Sequence, residues 1–299
     1  MSHPINLIGY SVGLGAGDRG CAYGPIALQE FKYMDTLLSK YNNVHWQTTI
    51  KPKDRNVPAS DIPTIVDVST RLAEATQQAL TNKESFITVG GDHSSGIGTW
   101  SGVHNVLRDK GSFGLIWFDA HLDAHTHDSS PSGNIHGMPV ACLLGHGDPA
   151  LTSILNDEPK VLPENLVMIG IRSYEPGEKA LLEAMGVRIY YMEEVLERGM
   201  AVVFAEALNI VQTNTVGFGI SIDIDGVDCA EAPGVGTPES NGVKAQDLLD
   251  CLPSLRQQPN FIGAEVVEFN PNLDDKTNMT ATLAVDIIEQ LIKVENNDE

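Results

Sequence analysis

The sequence predicts an α/β protein built on a mostly parallel sheet with helices on both of its faces. Short apolar runs, typical of strands buried on both faces, recur along the chain. Longer segments with helical spacing lie between these runs. No low-complexity linker and no repeat of fixed period divides residues 1–290, so we expect one domain over residues 1–299.

The individual elements follow from this alternation. The predicted strands are INLIGY (5–10), SFITVGG (85–91), FGLIWFD (113–119), NLVMIGI (165–171), VGFGISID (216–223) and FIGAEVVEF (261–269). The predicted helices cover 62–80, 177–186, 201–212 and 280–294. A loop is expected over 51–63 and a frayed terminus over 294–299. Ligand sites of open α/β sheets lie beyond the carboxyl ends of the strands, so chemistry is expected there.

Composition argues against several classes of protein. The formal net charge is −21, from 40 acidic and 19 basic residues. The electric field of this negative charge repels a phosphate backbone, so no nucleic-acid partner is expected. The 4 cysteines show no Cys-x-x-Cys spacing, which argues against a zinc ribbon or a disulfide framework and fits a reducing compartment. Neither a signal peptide nor a membrane-spanning stretch is recognisable. We therefore expect a cytoplasmic protein without a membrane partner.

Four polar clusters each follow a predicted strand. They are Gly90–His93, Asp119–Asp123, Asp223–Asp228 and Glu268–Pro271. In an extended chain, residues i, i+2 and i+4 point to the same side. Asp119, His121 and Asp123 can therefore converge, and so can Asp223 and Asp225.

These clusters predict a metal site. If four carboxylates shared a small volume without cations, their repulsion would force them to take up protons. Two divalent ions would supply the compensating charge, and carboxylate with imidazole and no thiolate favours Mn²⁺ or a similar ion over structural zinc. An isolated Asp is better explained as a strand end or a helix cap, but this repeated pattern is not. The candidate ligands are His93, Asp119, His121, Asp123, Asp223 and Asp225.

The motifs also resemble a known family. GGDHSSGIG, FDAHLDAH, SPSGNIHGMP, SIDIDGVD, APGVGTP and EFNP occur in the order and spacing of the ureohydrolase superfamily, essentially over the whole chain. The resemblance is closest to bacterial arginases, while agmatinases and formimidoylglutamases share much of the metal signature. It implies a three-layer α/β/α fold with a central, mostly parallel eight-stranded sheet, two Mn²⁺ per subunit (Co²⁺ suits the same ligands), and a homo-oligomer, either a trimer or a hexamer.

The resemblance also assigns the ligands to two ions. One ion would be held by His93, Asp119, Asp123 and Asp223, and the other by Asp119, His121, Asp223 and Asp225. Asp119 and Asp223 would thus bridge the two ions.

The activity that this resemblance implies is hydrolysis of the guanidinium group of L-arginine to L-ornithine and urea. A guanidinium is a poor electrophile, and a water bridging two divalent ions becomes a hydroxide nucleophile near neutral pH. By analogy with the family, Asp225 stabilises the tetrahedral intermediate. His136 resembles the family's proton shuttle, and Glu268 resembles the carboxylate that pairs with the guanidinium.

The substrate contacts depart from the arginase pattern at two positions. His125 stands where arginases typically have an Asn that contacts the α-carboxylate, while Ser132 and Asn134, which share that task, are intact. Glu175 stands where an Asp usually meets the α-amino group, and Glu178 matches a second acidic position. We interpret this as a modified arginase pocket for L-arginine.

Other functions stay open at this stage. Agmatine lacks the α-carboxylate, so SPSGN argues mildly against it, and formimidoylglutamate remains possible. A metallophosphoesterase also begins its site with Asp-x-His, but its Asn-His pair and basic clamp are missing. A non-catalytic metal-binding homologue would need neither His136 nor Glu268. The Gly-rich segment 13–20 fits nucleotide loops poorly and is predicted to lie over the active-site edge.

Overall fold

The computed structural model describes residues 4–54 and 56–293, so the frayed terminus expected at 294–299 lies outside the described residues. Within them, eight strands form one sheet of order β2-β1-β3-β8-β7-β4-β5-β6, and each neighbouring pair is parallel. The strands are β1 Ile5–Tyr10, β2 Val44–Ile50, β3 Ser85–Val89, β4 Gly114–Phe118, β5 Leu166–Ile171, β6 Arg188–Tyr191, β7 Phe218–Asp223 and β8 Phe261–Val267. The predicted α/β class and the eight-stranded parallel sheet are confirmed.

Helices cover both faces of the sheet. They are α1 Gly24–Glu30, α2 Lys32–Lys40, α3 Ile62–Thr81, α4 Ser95–Leu107, α5 Pro139–Leu143, α6 Pro149–Thr152, α7 Pro176–Met185, α8 Met192–Arg198, α9 Met200–Gln212, α10 Ala245–Cys251, α11 Pro253–Arg256 and α12 Met279–Ile292. All four predicted helices are present. In the described ranges, none of the helices combines the length and apolarity needed to cross a membrane.

Two hydrophobic cores flank the sheet because successive strand residues point to opposite faces. In β1, Leu7 joins the core that includes helices α2, α9 and α12, whereas Ile8 joins the core that includes α3 and α4. Both side chains are fully buried. The strands of the middle of the sheet are therefore apolar on both faces, and this is what made them recognisable in the sequence.

The sequence pattern missed the two edge strands, β2 and β6. An edge strand has a neighbour on one side only and can keep polar residues. In β2, only Val44 and Ile50 are buried, and the polar residues between them interrupt the apolar run. Strand β6 has 4 residues, of which the middle two are buried.

Helix α4 also went unpredicted, because its sequence SGIGTWSGVHNVL contains three glycines. Those glycines permit close packing against α3. A Cβ at Gly98 would lie 2.5 Å from the carbonyl oxygen of Ser69, and one at Gly102 would overlap the hydroxyl of Thr76. The tight α3–α4 contact fixes the connection from β3 to α4, which carries His93.

The sheet order brings the polar clusters together. Strands β3, β8, β7 and β4 are consecutive neighbours in the middle of the sheet, and each is followed by one of the four clusters. Strand β5 lies beside β4, so the segment after it, which contains Glu175 and Glu178, flanks the same edge. The polar clusters therefore meet at the carboxyl edge of the sheet, where ligand sites of open α/β sheets lie.

Candidate active site

The imidazole of His93 is held in one orientation. Its ring stacks on Trp117, with centroids 4.1 Å apart and planes inclined by 9°. Its Nε2 lies 2.9 Å from Ser221 Oγ, and the Ser221 hydroxyl donates to Glu265 over 2.9 Å. Because that hydroxyl proton points to Glu265, Ser221 Oγ accepts from Nε2–H, and a neutral His93 ring therefore directs its lone pair from Nδ1.

That lone pair faces three carboxylates. Nδ1 of His93 lies 3.2 Å from Asp119 Oδ2, 3.0 Å from Asp123 Oδ2 and 3.1 Å from Asp223 Oδ2. Neither Nδ1 nor Asp123 Oδ2 forms a hydrogen bond with any described residue, although both atoms are buried. Buried polar atoms without partners are rare, and here they converge on one point. A cation at that point would satisfy them all.

A second group lies beside the first. His121 Nδ1 is 3.4 Å from Asp119 Oδ1 and 3.1 Å from Asp225 Oδ2. Asp119 therefore directs one oxygen to each group, which fits its expected bridging role. Asp223 belongs to the first group by distance, and its Oδ1 accepts from the backbone N–H of Asp225 over 2.8 Å. All six predicted ligands therefore lie in these two neighbouring groups. Asp119 is the residue whose two carboxylate oxygens face the two groups.

The electrostatics of the two groups also fit cations. Burial, together with the negative charge of Asp119, raises the pKa of Asp123 to about 6. Burial and then the charges of Asp225 and Asp119 raise the pKa of Asp223 well above its ordinary value. Four carboxylates in this volume resist full ionisation unless positive charge lies among them. The donor set of two imidazoles and four carboxylates suits two hard or borderline divalent ions.

The convergence of Asp119, His121 and Asp123 has a different origin from the extended chain that the sequence suggested. Strand β4 ends at Phe118, before the cluster begins. Asp123 has a φ of 48°, in the left-handed region, so the chain turns back at this residue. Glu268, after β8, likewise has a φ of 67°. Positive φ at non-glycine residues is costly and concentrates at functional sites.

His136 and Glu268 form a pair next to the first group. His136 Nδ1 lies 3.2 Å from Glu268 Oε1, and the same oxygen accepts from the backbone N–H of His93 over 2.8 Å. Burial lowers the pKa of His136, but the hydrogen bond and charge of Glu268 outweigh it and raise that pKa to about 9. The backbone N–H of His136 donates to Gly15 over 3.1 Å, so the Gly-rich segment borders the site, as predicted.

A cavity of about 290 Å³ opens onto both groups. Its lining combines metal-group side chains with His136 and with five predicted substrate contacts: His125, Ser132, Asn134, Glu175 and Glu178. Asp119 and Glu268 lie behind this surface, 0% and 2% exposed respectively. The cavity thus brings the amino-acid end of the predicted pocket and the metal groups into one space.

Several side chains of the site were not predicted, among them Thr237, Ser221 and Glu265. Thr237 lines the cavity and donates to Asp225 Oδ2 over 2.9 Å. Ser221 and Glu265 lie behind His93. Thr237 stands in APGVGTP, and Ser221 precedes Asp223 by two positions on β7, so same-face spacing could have identified Ser221. Glu265 was hidden within an apolar strand.

Known proteins are similar to this chain in sequence and in fold. The family model described as the Arginase family matches residues 3–293. The arginase of Bacillus caldovelox is 37% identical over 96% of this chain and 97% of its own. A crystal structure of the arginase from Bacillus subtilis superimposes with a TM-score of 0.90 at 33% identity, over 98% of this chain and 99% of that one.

A more distant match is the Entamoeba histolytica arginase, solved in complex with L-ornithine. It superimposes with a TM-score of 0.89 at 29% identity and covers 98% of each chain. The family match extends over nearly the whole sequence. It therefore includes the strands of the sheet and the clustered carboxylates and imidazoles. The chain belongs to the arginase family.

Proposed function

We propose that this protein hydrolyses L-arginine to L-ornithine and urea at a centre of two divalent ions. The observation that carries the proposal is the orphaned Nδ1 of His93, which faces Asp119, Asp123 and Asp223 beside an open cavity. Membership of the arginase family and relatives named arginase support the choice of a guanidino substrate.

The ions would be held by the six clustered side chains, His93, Asp119, His121, Asp123, Asp223 and Asp225. When bound, they supply positive charge to the buried carboxylates and lower the pKa of water near the substrate carbon. Mn²⁺ suits this donor set, and Co²⁺ suits it as well. Ser221 and Thr237 orient the ligands His93 and Asp225 from behind.

The other residues manage the substrate and its protons. Glu268, which contacts His136 just behind the cavity lining, would pair with the guanidinium once the substrate enters. When a C–O bond forms and the C–N bond to the ornithine nitrogen breaks, that nitrogen needs a proton. His136, partly exposed to the cavity and protonated near neutral pH, can deliver it. The proposed role of Asp225, in keeping with the family resemblance, is to stabilise the tetrahedral intermediate.

The amino-acid end of the substrate would lie at the outer part of the cavity. Ser132 and Asn134 offer hydroxyl and amide groups for the α-carboxylate. Glu175 offers negative charge for the α-ammonium group, and Glu178 offers a second carboxyl group beside it. We further propose a cytoplasmic enzyme that assembles as a trimer or hexamer, in keeping with the family. Residues 1–299 would act as one domain, because one continuous sheet carries the entire site.

Urea and formamide assays test the proposal. The purified protein, loaded with Mn²⁺ or with Co²⁺, is given L-arginine, agmatine or formimidoylglutamate. Urea from L-arginine with little from agmatine is the expected result. Formamide from formimidoylglutamate without urea from arginine would transfer the assignment to formimidoylglutamase. A metal-loaded protein without turnover of any of the three would indicate a non-catalytic homologue.

A further inference from the structure

The side chain of His125 uses both ring nitrogens within the protein. Its Nε2 lies 2.9 Å from Glu175 Oε2, and its Nδ1 lies 3.1 Å from Ser129 Oγ. Ser129 Oγ also accepts from the backbone N–H of Thr126 over 2.9 Å. The ring is largely buried, with its side chain 10% exposed.

These contacts fix the direction of the hydrogen bonds. An ionised carboxylate only accepts, so Nε2 carries a proton and donates it to Glu175. Nδ1 is engaged by Ser129 Oγ, which also accepts from the backbone N–H of Thr126 and lies 3.5 Å from the Thr126 carbonyl oxygen. The chain Thr126–Ser129–His125–Glu175 is thus complete, and no donor of His125 is left over for a substrate carboxylate.

Glu175 and Glu178 form the other half of this arrangement. Glu175 is the N-cap residue of α7, and the two side chains make reciprocal bonds to each other's backbone N–H. Glu178 is 3% exposed and also accepts from the backbone N–H of Ala124 over 3.2 Å. The Glu175 side chain, in contrast, is 53% exposed, so an exposed and a buried carboxylate meet at one corner of the cavity.

We propose that His125 is a positioning residue for Glu175 and does not contact the substrate α-carboxylate. It holds the exposed carboxylate beside Glu178, so that the pair forms a pocket for the α-ammonium group. Recognition of the α-carboxylate is then left to other polar residues of the cavity, Ser132 and Asn134 among them. This inference rests on the proposed function and replaces the carboxylate role that family resemblance suggested for His125.

The physical reason lies in the length and exposure of Glu175. An exposed glutamate has several rotamers, and ordering it costs conformational entropy. A hydrogen bond from a largely buried imidazole removes that freedom before the substrate arrives, so the ordering cost does not reduce binding. The same bond keeps the carboxylate ionised, since it lowers the pKa of Glu175.

The test compares three guanidino compounds that differ at the amino-acid end. L-Arginine carries both groups, agmatine keeps the ammonium group only, and 5-guanidinopentanoate keeps the carboxylate only. The manganese-loaded wild type is compared with His125→Ala and Ser132→Ala. A compound that is not turned over is measured as a competitive inhibitor of urea release from arginine.

For His125→Ala we expect KM for arginine, and KM or Ki for agmatine, to rise roughly three- to tenfold, with kcat for arginine nearly unchanged. The KM or Ki for 5-guanidinopentanoate should not change in this variant. Ser132→Ala is the matched control, and it should weaken arginine and 5-guanidinopentanoate while sparing agmatine. Metal content and melting temperature establish that each variant is folded.

A double-mutant cycle makes the positioning role specific. If His125 acts through Glu175, His125→Ala should change KM for arginine less than twofold in a Glu175→Ala background. Additive effects of the two substitutions on KM would overturn the inference. Weaker binding of 5-guanidinopentanoate with unchanged binding of agmatine would overturn it as well. Absence of urea from arginine in the wild type would instead overturn the proposed function, so the two failures are distinguishable.

Discussion

Ser221 Oγ lies 2.9 Å from His93 Nε2, on the side of the imidazole remote from the carboxylates. Its hydroxyl proton is engaged by Glu265, which also accepts from Ser95, Thr99 and Trp100. The buried carboxylate thereby fixes the serine, and the serine fixes the tautomer of the histidine. The hydrogen bonds of Ser221 and Glu265 therefore set the tautomer of His93 that directs the Nδ1 lone pair toward the metal site.

Ser221→Ala should therefore weaken metal binding while leaving all six candidate ligands in place. Loss of the orienting acceptor is expected to lower the affinity for Mn²⁺ about 10- to 100-fold. Competition with a chelator measures this affinity directly. The control is Ser39→Ala, because Ser39 is exposed on helix α2 and its hydroxyl donates to the carbonyl oxygen of Thr36 one turn before it, and this variant should bind Mn²⁺ like the wild type. Equal affinities for Ser221→Ala and the wild type would contradict the orienting role.

His136→Ala should remove the proton donor for the leaving amine. We expect kcat for arginine to fall roughly 100-fold or more, with the metal content unchanged. Steady-state kinetics together with metal analysis of the same sample provides the measurement. A variant that keeps both its metal and its wild-type kcat would exclude His136 from proton transfer.

Glu178 should make ammonium binding depend on pH. Burial raises the pKa of Glu178 to about 8, so its carboxyl is neutral below that pH and negatively charged above it. The amine of agmatine stays protonated throughout this range, and its attraction to Glu178 therefore increases with pH. The Ki of agmatine should fall up to about tenfold between about pH 7 and pH 9.

Glu178→Gln is the control for this pH dependence, since an amide does not titrate. In that variant the Ki of agmatine should be weaker and nearly independent of pH. A wild-type Ki that stays constant, or rises, over the same range would show that Glu178 does not titrate in contact with the ammonium group.

Lys160 should stabilise the irregular segment before β5. Its side chain is buried, and Nζ donates to the carbonyl oxygens of Asn156 and Glu158 over 2.5 and 2.7 Å. Lys160→Met leaves these acceptors without a donor and should lower the free energy of unfolding by about 2 kcal/mol. Urea denaturation measures this, with the exposed Lys244→Met as control. Equal losses in the two variants would refute a specific role.

The middle of the fold and the metal groups were predictable because both depend on local patterns. Runs such as FGLIWF are buried on both faces, and the polar residues that follow them must meet at the carboxyl edge of a parallel sheet. Strand β2 was not predictable because it lies at the edge of the sheet. Polar residues are tolerated there, and they interrupt the apolar pattern that marks a buried strand. Helix α4 was missed because its glycines serve a tertiary contact with α3.

The role of His125 shows a different limit of sequence reasoning. Its residue type and position suggested a contact with substrate, but the direction of its donor depends on Ser129 and Glu175, of which the second is 50 residues away. Similarly, the turn at Asp123 results from a left-handed backbone that no local pattern announced. Side-chain direction in loops is set by tertiary partners.

The central claim is that two ions held by the clustered carboxylates and imidazoles enable urea release. The most direct test is the rate of urea release from L-arginine as a function of Mn²⁺ bound per chain, after chelation and stepwise readdition. The account predicts no activity in the metal-free protein and maximal activity at two bound ions per chain. Full activity after chelation, saturation at one ion, or two bound ions without urea would contradict it.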